Sequence, residues 1–310
     1  MNIRELPKID LHCHLDGSLT KAFIRKHYDY EITDEMLRAP EDCPSLAVYL
    51  EKFDLPIACL QTAEDLEEGA YTFMESLFED GVEYVEARFA PSFHTNAGLS
   101  LQQVVDAVKA GMERGKKEFG ISYGIICCAM RHLDLESNRK VLQLVKENLG
   151  KGVVAFDLAG SEAVFPNNLF FDLFKEAKEL EVPYTIHSGE QGSLENVKDA
   201  YDMDARRIGH GISLIQDREL MKIYADAGIG VEMCPTSNFQ TKAVNDWSEY
   251  PLKEFVDAGI LVSINTDNRT VSGTNLTKEL ELVYNQYGQD EELILKLVEN
   301  AKKIAFAYKK

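Results

Sequence analysis

The sequence has no apolar stretch long enough to cross a bilayer, and residues 1–7 carry no signal-peptide-like run, so neither a membrane partner nor export is expected. Its six cysteines (13, 43, 59, 127, 128 and 234) form no C-x-x-C pair and no disulfide-like framework, which points to a reduced, cytoplasmic setting. Positive charge is scarce. The 33 Lys and Arg stand against 52 Asp and Glu, a formal net charge of -19. Phosphate backbones are bound through basic footprints, so a nucleic-acid partner is not expected. Nor is there a Pro/Gly/Ser-rich linker, a short-period repeat or a low-complexity segment, and the chain reads as one domain over residues 1–310.

What is present is an alternation of short apolar runs with helical stretches. The runs begin near residues 8, 82, 121, 153, 183, 207, 229 and 260. Apolar on both faces rather than cleanly alternating, they read as parallel strands covered on both sides. An α/β (β/α)8 TIM-type barrel is the economical fold, with extra helices after strand one (residues 20–80) and at the C-terminus; a doubly wound open sheet is the alternative.

The polar residues of interest sort to the strand ends. His12 and His14 end strand one, His187-Ser-Gly-Glu190 follows strand five, Gly209-His210-Gly211 ends strand six, and Asn265-Thr-Asp267-Asn268 ends strand eight. Four of the seven histidines lie there, while His27, His94 and His132 fall outside the pattern. In a barrel these ends share one face, where active sites are built. His12, His14, His187 and Asp267 make a ligand set suited to one zinc, with a position left for water whose pKa falls to roughly 7. Glu190 and His210 remain as proton-transfer candidates beside it.

These residues also carry a family resemblance. His12-x-His14-x-Asp16-Gly17, Asp157-Leu-Ala-Gly160, His187-Ser-Gly-Glu190, Gly209-His210-Gly211 and Asn265-Thr-Asp267 occur in family order, and the chain resembles the adenosine deaminases, metal-dependent amidohydrolase barrels. The resemblance implies zinc-dependent hydrolytic deamination of adenosine and 2′-deoxyadenosine at purine C6, giving the inosine product and ammonia. It implies that Glu190 protonates N1, that His210 orients and helps deprotonate the attacking water, and that His14 and Asp16 meet the substrate, Asp16 at the ribose 5′-hydroxyl. Gly160 would meet N3 through its backbone. Two positions depart from the family: Asn268 and Ser161 stand where acids are usual. An asparagine amide donates at every pH, so Asn268 is expected to serve N7 without a proton to keep.

Other readings are a deaminase of adenine or another 6-aminopurine, a two-metal hydrolase, and a non-enzymatic purine-binding barrel. The two-metal class often bridges its ions with a modified lysine on strand four, and residues 153–160 contain no lysine.

Overall fold

The computed structural model describes residues 1–191 and 193–308. Eight parallel strands form the barrel wall: β1 Lys8–His14, β2 Val82–Phe89, β3 Ser122–Met130, β4 Val153–Ala159, β5 Thr185–Ser188, β6 Arg207–His210, β7 Gly230–Met233 and β8 Leu261–Ile264. They pair in chain order as two four-stranded halves, β1 to β4 and β5 to β8. Isolated parallel bridges, Cys13 to Asp267 and Phe156 to Tyr184, close the two seams. The amide of His14 donates to the Asp267 carbonyl at 2.7 Å, and that of Asp267 returns to the His12 carbonyl at 2.7 Å. The sheet therefore closes on itself, and the open doubly wound alternative is not what forms.

Local chemistry sets the helices between strands. Leu101–Phe119 starts at a reciprocal capping box between Ser100 and Gln103 and stops at Gly120, in the left-handed region at φ 78°. The excursion after β1 breaks into short helices, Lys21–Arg25, Asp34–Leu37, Leu46–Leu50 and Asp54–Cys59, before the long helix Ala63–Glu79. Helices Leu276–Gln286 and Glu291–Ile304 finish the described chain. Pro235–Gln240, directly after β7, is a short helix that the apolar pattern does not announce.

Buried aliphatic and aromatic side chains from the strands and the surrounding helices form one large core. Within the barrel itself, charged residues are fully buried: Glu86, Arg88, Asp157, Arg207 and Glu232 all have 0% exposure. Their pairing makes this tolerable. Arg207 bonds Glu86 at 2.6 Å and Glu232 at 2.6 Å, while Arg88 bonds Glu232 at 2.8 Å and Asp157 at 3.1 Å. The six cysteines are buried and free of disulfides. Among the described residues, no helix is long and apolar enough to cross a membrane.

Candidate active site

The ends of β1, β5, β6 and β8 bring His12, His14, His187, His210 and Asp267 together. His12 Nε2 lies 3.3 Å and His14 Nε2 3.5 Å from Asp267 Oδ1, and His14 Nε2 lies 3.2 Å from His187 Nε2. One ligand atom from each of His12, His187, His210 and Asp267 falls within 4.8 Å of the others. That grouping shares three members with the sequence-derived set and has His210 in place of His14. Distance alone thus leaves five candidates for one shell.

Hydrogen bonds behind the rings separate them. A carboxylate only accepts, so His12 Nδ1 donates to Glu232 at 2.8 Å and His187 Nδ1 donates to Asp157 at 3.0 Å. Each neutral ring then keeps its lone pair on Nε2, the arrangement that outer-shell carboxylates give metal-bound histidines. His12 Nε2 is buried with no hydrogen-bond partner. Burial holds the His14 ring well below its ordinary pKa and brings His187 down to about 4, so both stay neutral. His12 runs the other way. Burial and Arg88 lower it, but Asp267 and Glu232 on either side raise it overall. That pull on a second proton is the same negative field a cation would answer. Three converging imidazoles, one carboxylate and an orphaned ring nitrogen fit a divalent metal.

Ser237, from the short helix after β7, donates to Asp267 Oδ2 at 2.5 Å and fixes the carboxylate. His210 and Asp267 both hold left-handed backbone, at φ 65° and 56°. Such residues persist only where the surroundings impose them, and they gather at functional sites. Glu190 Oε2 lies 3.8 Å from His210 Nε2. Burial raises the Glu190 carboxyl, with Asp267 and Glu162 adding to the rise and His210 opposing it.

The cluster floors a cavity of about 540 Å³ that Asp16, Gly160, Glu190 and Asn268 also line. Asp16 Oδ1 is buried without a partner, and His94, which sequence pattern set apart, stands beside Asp16 at 3.8 Å. His132 also corrects that pattern, lining the cavity mouth stacked on Phe93. His27 does lie elsewhere, near Asp65. Asn268 Nδ2 donates to the Tyr49 hydroxyl at 2.9 Å, leaving Oδ1 buried and unpartnered. Turning the amide over would satisfy Oδ1 from that hydroxyl and free the NH₂ group. Asn268 fits here only because residue 17 is glycine, whose added Cβ would sit 2.0 Å from Oδ1.

An adenosine deaminase family model spans residues 7–310. The adenosine deaminase of Enterococcus faecalis is 43% identical over 313 residues, covering 98% of this chain and 93% of the relative. The chain belongs to the adenosine deaminase family. Solved structures show the same barrel. An amidohydrolase from Burkholderia ambifaria with bound zinc superposes with a TM-score of 0.89 at 23% identity, covering 99% of this chain and 87% of that one. An Arabidopsis ADAL protein complexed with IMP gives 0.87 at 24%, covering 98% and 93%. These two likenesses establish fold alone.

Three site features escape the family motifs. Glu162 accepts from the backbone amides of Gly189 at 2.8 Å and Gln191 at 2.9 Å, gripping both sides of Glu190, and takes Asn196 Nδ2 at 2.8 Å. Arg88 joins the two carboxylates that orient His12 and His187. Asn238 contacts His210. The signal that could have revealed Arg88 is a charge inside a short apolar strand covered on both faces. Ser161 carries a smaller role: its hydroxyl donates to Gln191 at 3.1 Å.

Proposed function

We propose that the protein hydrolyses the 6-amino group of adenosine and 2′-deoxyadenosine, releasing ammonia, with one zinc per chain. The observation that carries this is Glu190 buried 3.8 Å from His210 over the histidine–aspartate cluster. His12, His14, His187 and Asp267 would hold the zinc: three imidazoles and one carboxylate suit that ion, and His14 Nε2 lies 3.5 Å from Asp267 Oδ1 and 3.2 Å from His187 Nε2. When bound, the ion would lower the pKa of a water to about 7.

The chain's own residues do the rest. Glu190, whose carboxyl burial pushes up toward its protonated form, donates its proton to purine N1 and makes C6 electrophilic. His210 holds the attacking water against C6. The Gly160 backbone meets N3, and the orphaned Asp16 oxygen accepts a hydrogen bond from a sugar hydroxyl. Because these residues come from strands all round the barrel, we take residues 1–310 to work as one domain.

The cavity also bears on the substrate. Among the described residues its lining includes Asp16 and Asp54 but no Lys or Arg. A 5′-phosphate would enter without a cation to meet it, which favours nucleosides over nucleotides such as the IMP held by the Arabidopsis protein. Free adenine or another 6-aminopurine is the second reading; it leaves Asp16 unsatisfied. Absorbance loss and ammonia release should be followed for adenosine, 2′-deoxyadenosine, adenine and AMP, alongside metal analysis. The two nucleosides should turn over fastest, with about one zinc per chain. Faster turnover of adenine or AMP would overturn the substrate assignment.

A further inference from the structure

Five side chains converge on the metal cluster, and their spacing does not say which one stays out. The amide behind His210 does. Asn238 Oδ1 accepts from the Cys234 backbone N–H at 3.3 Å and from the Tyr250 hydroxyl at 3.3 Å. Turning the amide over would set its NH₂ against the Cys234 N–H, donor against donor. Its orientation is therefore fixed, with Nδ2 2.9 Å from His210 Nδ1. An amide nitrogen only donates, so His210 Nδ1 must carry a lone pair, and the single proton of a neutral ring then sits on Nε2. His12 and His187 are wired in the opposite sense, each with a carboxylate at Nδ1 and a lone pair on Nε2.

We propose that Asn238 is a positioning residue that sets the His210 tautomer, keeping His210 out of the metal shell and making its Nε2–H a hydrogen-bond donor beside Glu190. This deepens the deaminase reading and rests on it for the identity of the reaction. It also changes what His210 does: a neutral ring with its proton on Nε2 holds the attacking water by donating to its oxygen, and cannot take the water's proton at that nitrogen. Asn238, Ser237 and the Cys234 amide all belong to the segment at and just after β7, so one short piece of chain fixes both the Asp267 carboxylate and the His210 ring.

The test is nitrogen-resolved NMR of the zinc-loaded full-length chain labelled with ¹⁵N-histidine, with the His210 signals assigned by their loss in His210→Gln. The wild-type ring should show a lone-pair Nδ1 and a proton on Nε2. Asn238→Asp replaces the amide NH₂ with an acceptor while keeping shape and the Cys234 contact, and should reverse the pattern. Reversal should lower kcat by about 10²-fold or more with KM within about threefold, since a wrong tautomer in a comparable catalytic histidine costs ~10⁴. It should also tighten zinc in chelator competition, as a new lone pair faces the shell. A wild-type proton on Nδ1 overturns the proposal, and that spectrum needs no variant to fold. So does a reversed variant that keeps wild-type kcat. The spectrum needs no substrate either, so failure of the adenosine reading would appear separately, as absent ammonia release with the tautomer as stated.

Discussion

Glu279 has no part in the chemistry, yet its environment makes the stability of the molecule depend on pH. It lies on helix Leu276–Gln286 with 0% exposure. Its carboxyl accepts the Thr236 amide at 3.0 Å, the Thr274 hydroxyl at 2.5 Å and the Thr236 hydroxyl. Burial outweighs these bonds, Asp10 adds a repulsive charge, and the pKa rises from 4.5 to about 7. Between those values the folded chain holds a proton that the unfolded chain has released. Stability is therefore intact below the lower value and falls as pH rises through the window, with nothing further lost above it. Raising the carboxyl from 4.5 to about 7 amounts to about 3 kcal/mol. Glu279→Gln copies the protonated acid: its oxygen accepts the Thr236 amide, and its NH₂ donates to the hydroxyls. Urea unfolding at fixed zinc should show the variant gaining on wild type by roughly 2–3 kcal/mol between pH 5 and pH 8. A difference that stays flat across that range would refute the reasoning.

Three predictions concern the site. Glu190→Gln should lose roughly 10²–10⁴-fold in kcat with zinc content unchanged, and a variant keeping more than about a tenth of turnover would remove Glu190 from the proton-donor role. Glu162→Gln has one acceptor oxygen for the two amides that flank Glu190, so unfolding measurements should show a loss of about 1–3 kcal/mol. Because the Glu162 charge also helps keep Glu190 protonated, the alkaline limb of the kcat profile should move to lower pH; an unmoved limb would leave Glu162 a purely structural brace. For Asn268, wild type should prefer adenosine to 7-deazaadenosine by about 1–3 kcal/mol and Asn268→Ala should prefer it much less. Equal discrimination by both would mean that Asn268 does not touch N7.

The barrel and the convergence of His12, His14, His187, His210 and Asp267 were legible because parallel strands leave short apolar runs, and the polar residues at their ends share one face of the closed sheet. What surrounds them was not. Ser237 and Asn238 reach the site from 30 and 28 positions away, on a six-residue helix without periodic signal. Glu162 looks like a loop acid until its two amide partners are seen. His94 sits on the short helical turn after β2, and only the folded chain brings it to Asp16. Charge inside Glu86-Ala-Arg88 and Arg207 was visible as letters, but its pairing depends on closure of the barrel.

That closure rests on little ladder. Among the described residues the two half-barrels meet at one isolated bridge on each side, Cys13 to Asp267 and Phe156 to Tyr184. The polar centre spans both joints. His12 and His14 belong to the first half, His187 and Asp267 to the second, and the Asp157–His187 bond crosses the far seam. A cation held by these four side chains would act as a rivet through two loosely stitched sheets, so catalytic loading and mechanical integrity become one event. Stripping the metal should speed hydrogen exchange first at the His14 and Asp267 amides that close the near seam, with the interior of β2–β3 protected longest. Uniform loosening across all strands would show that the seams owe nothing to the site.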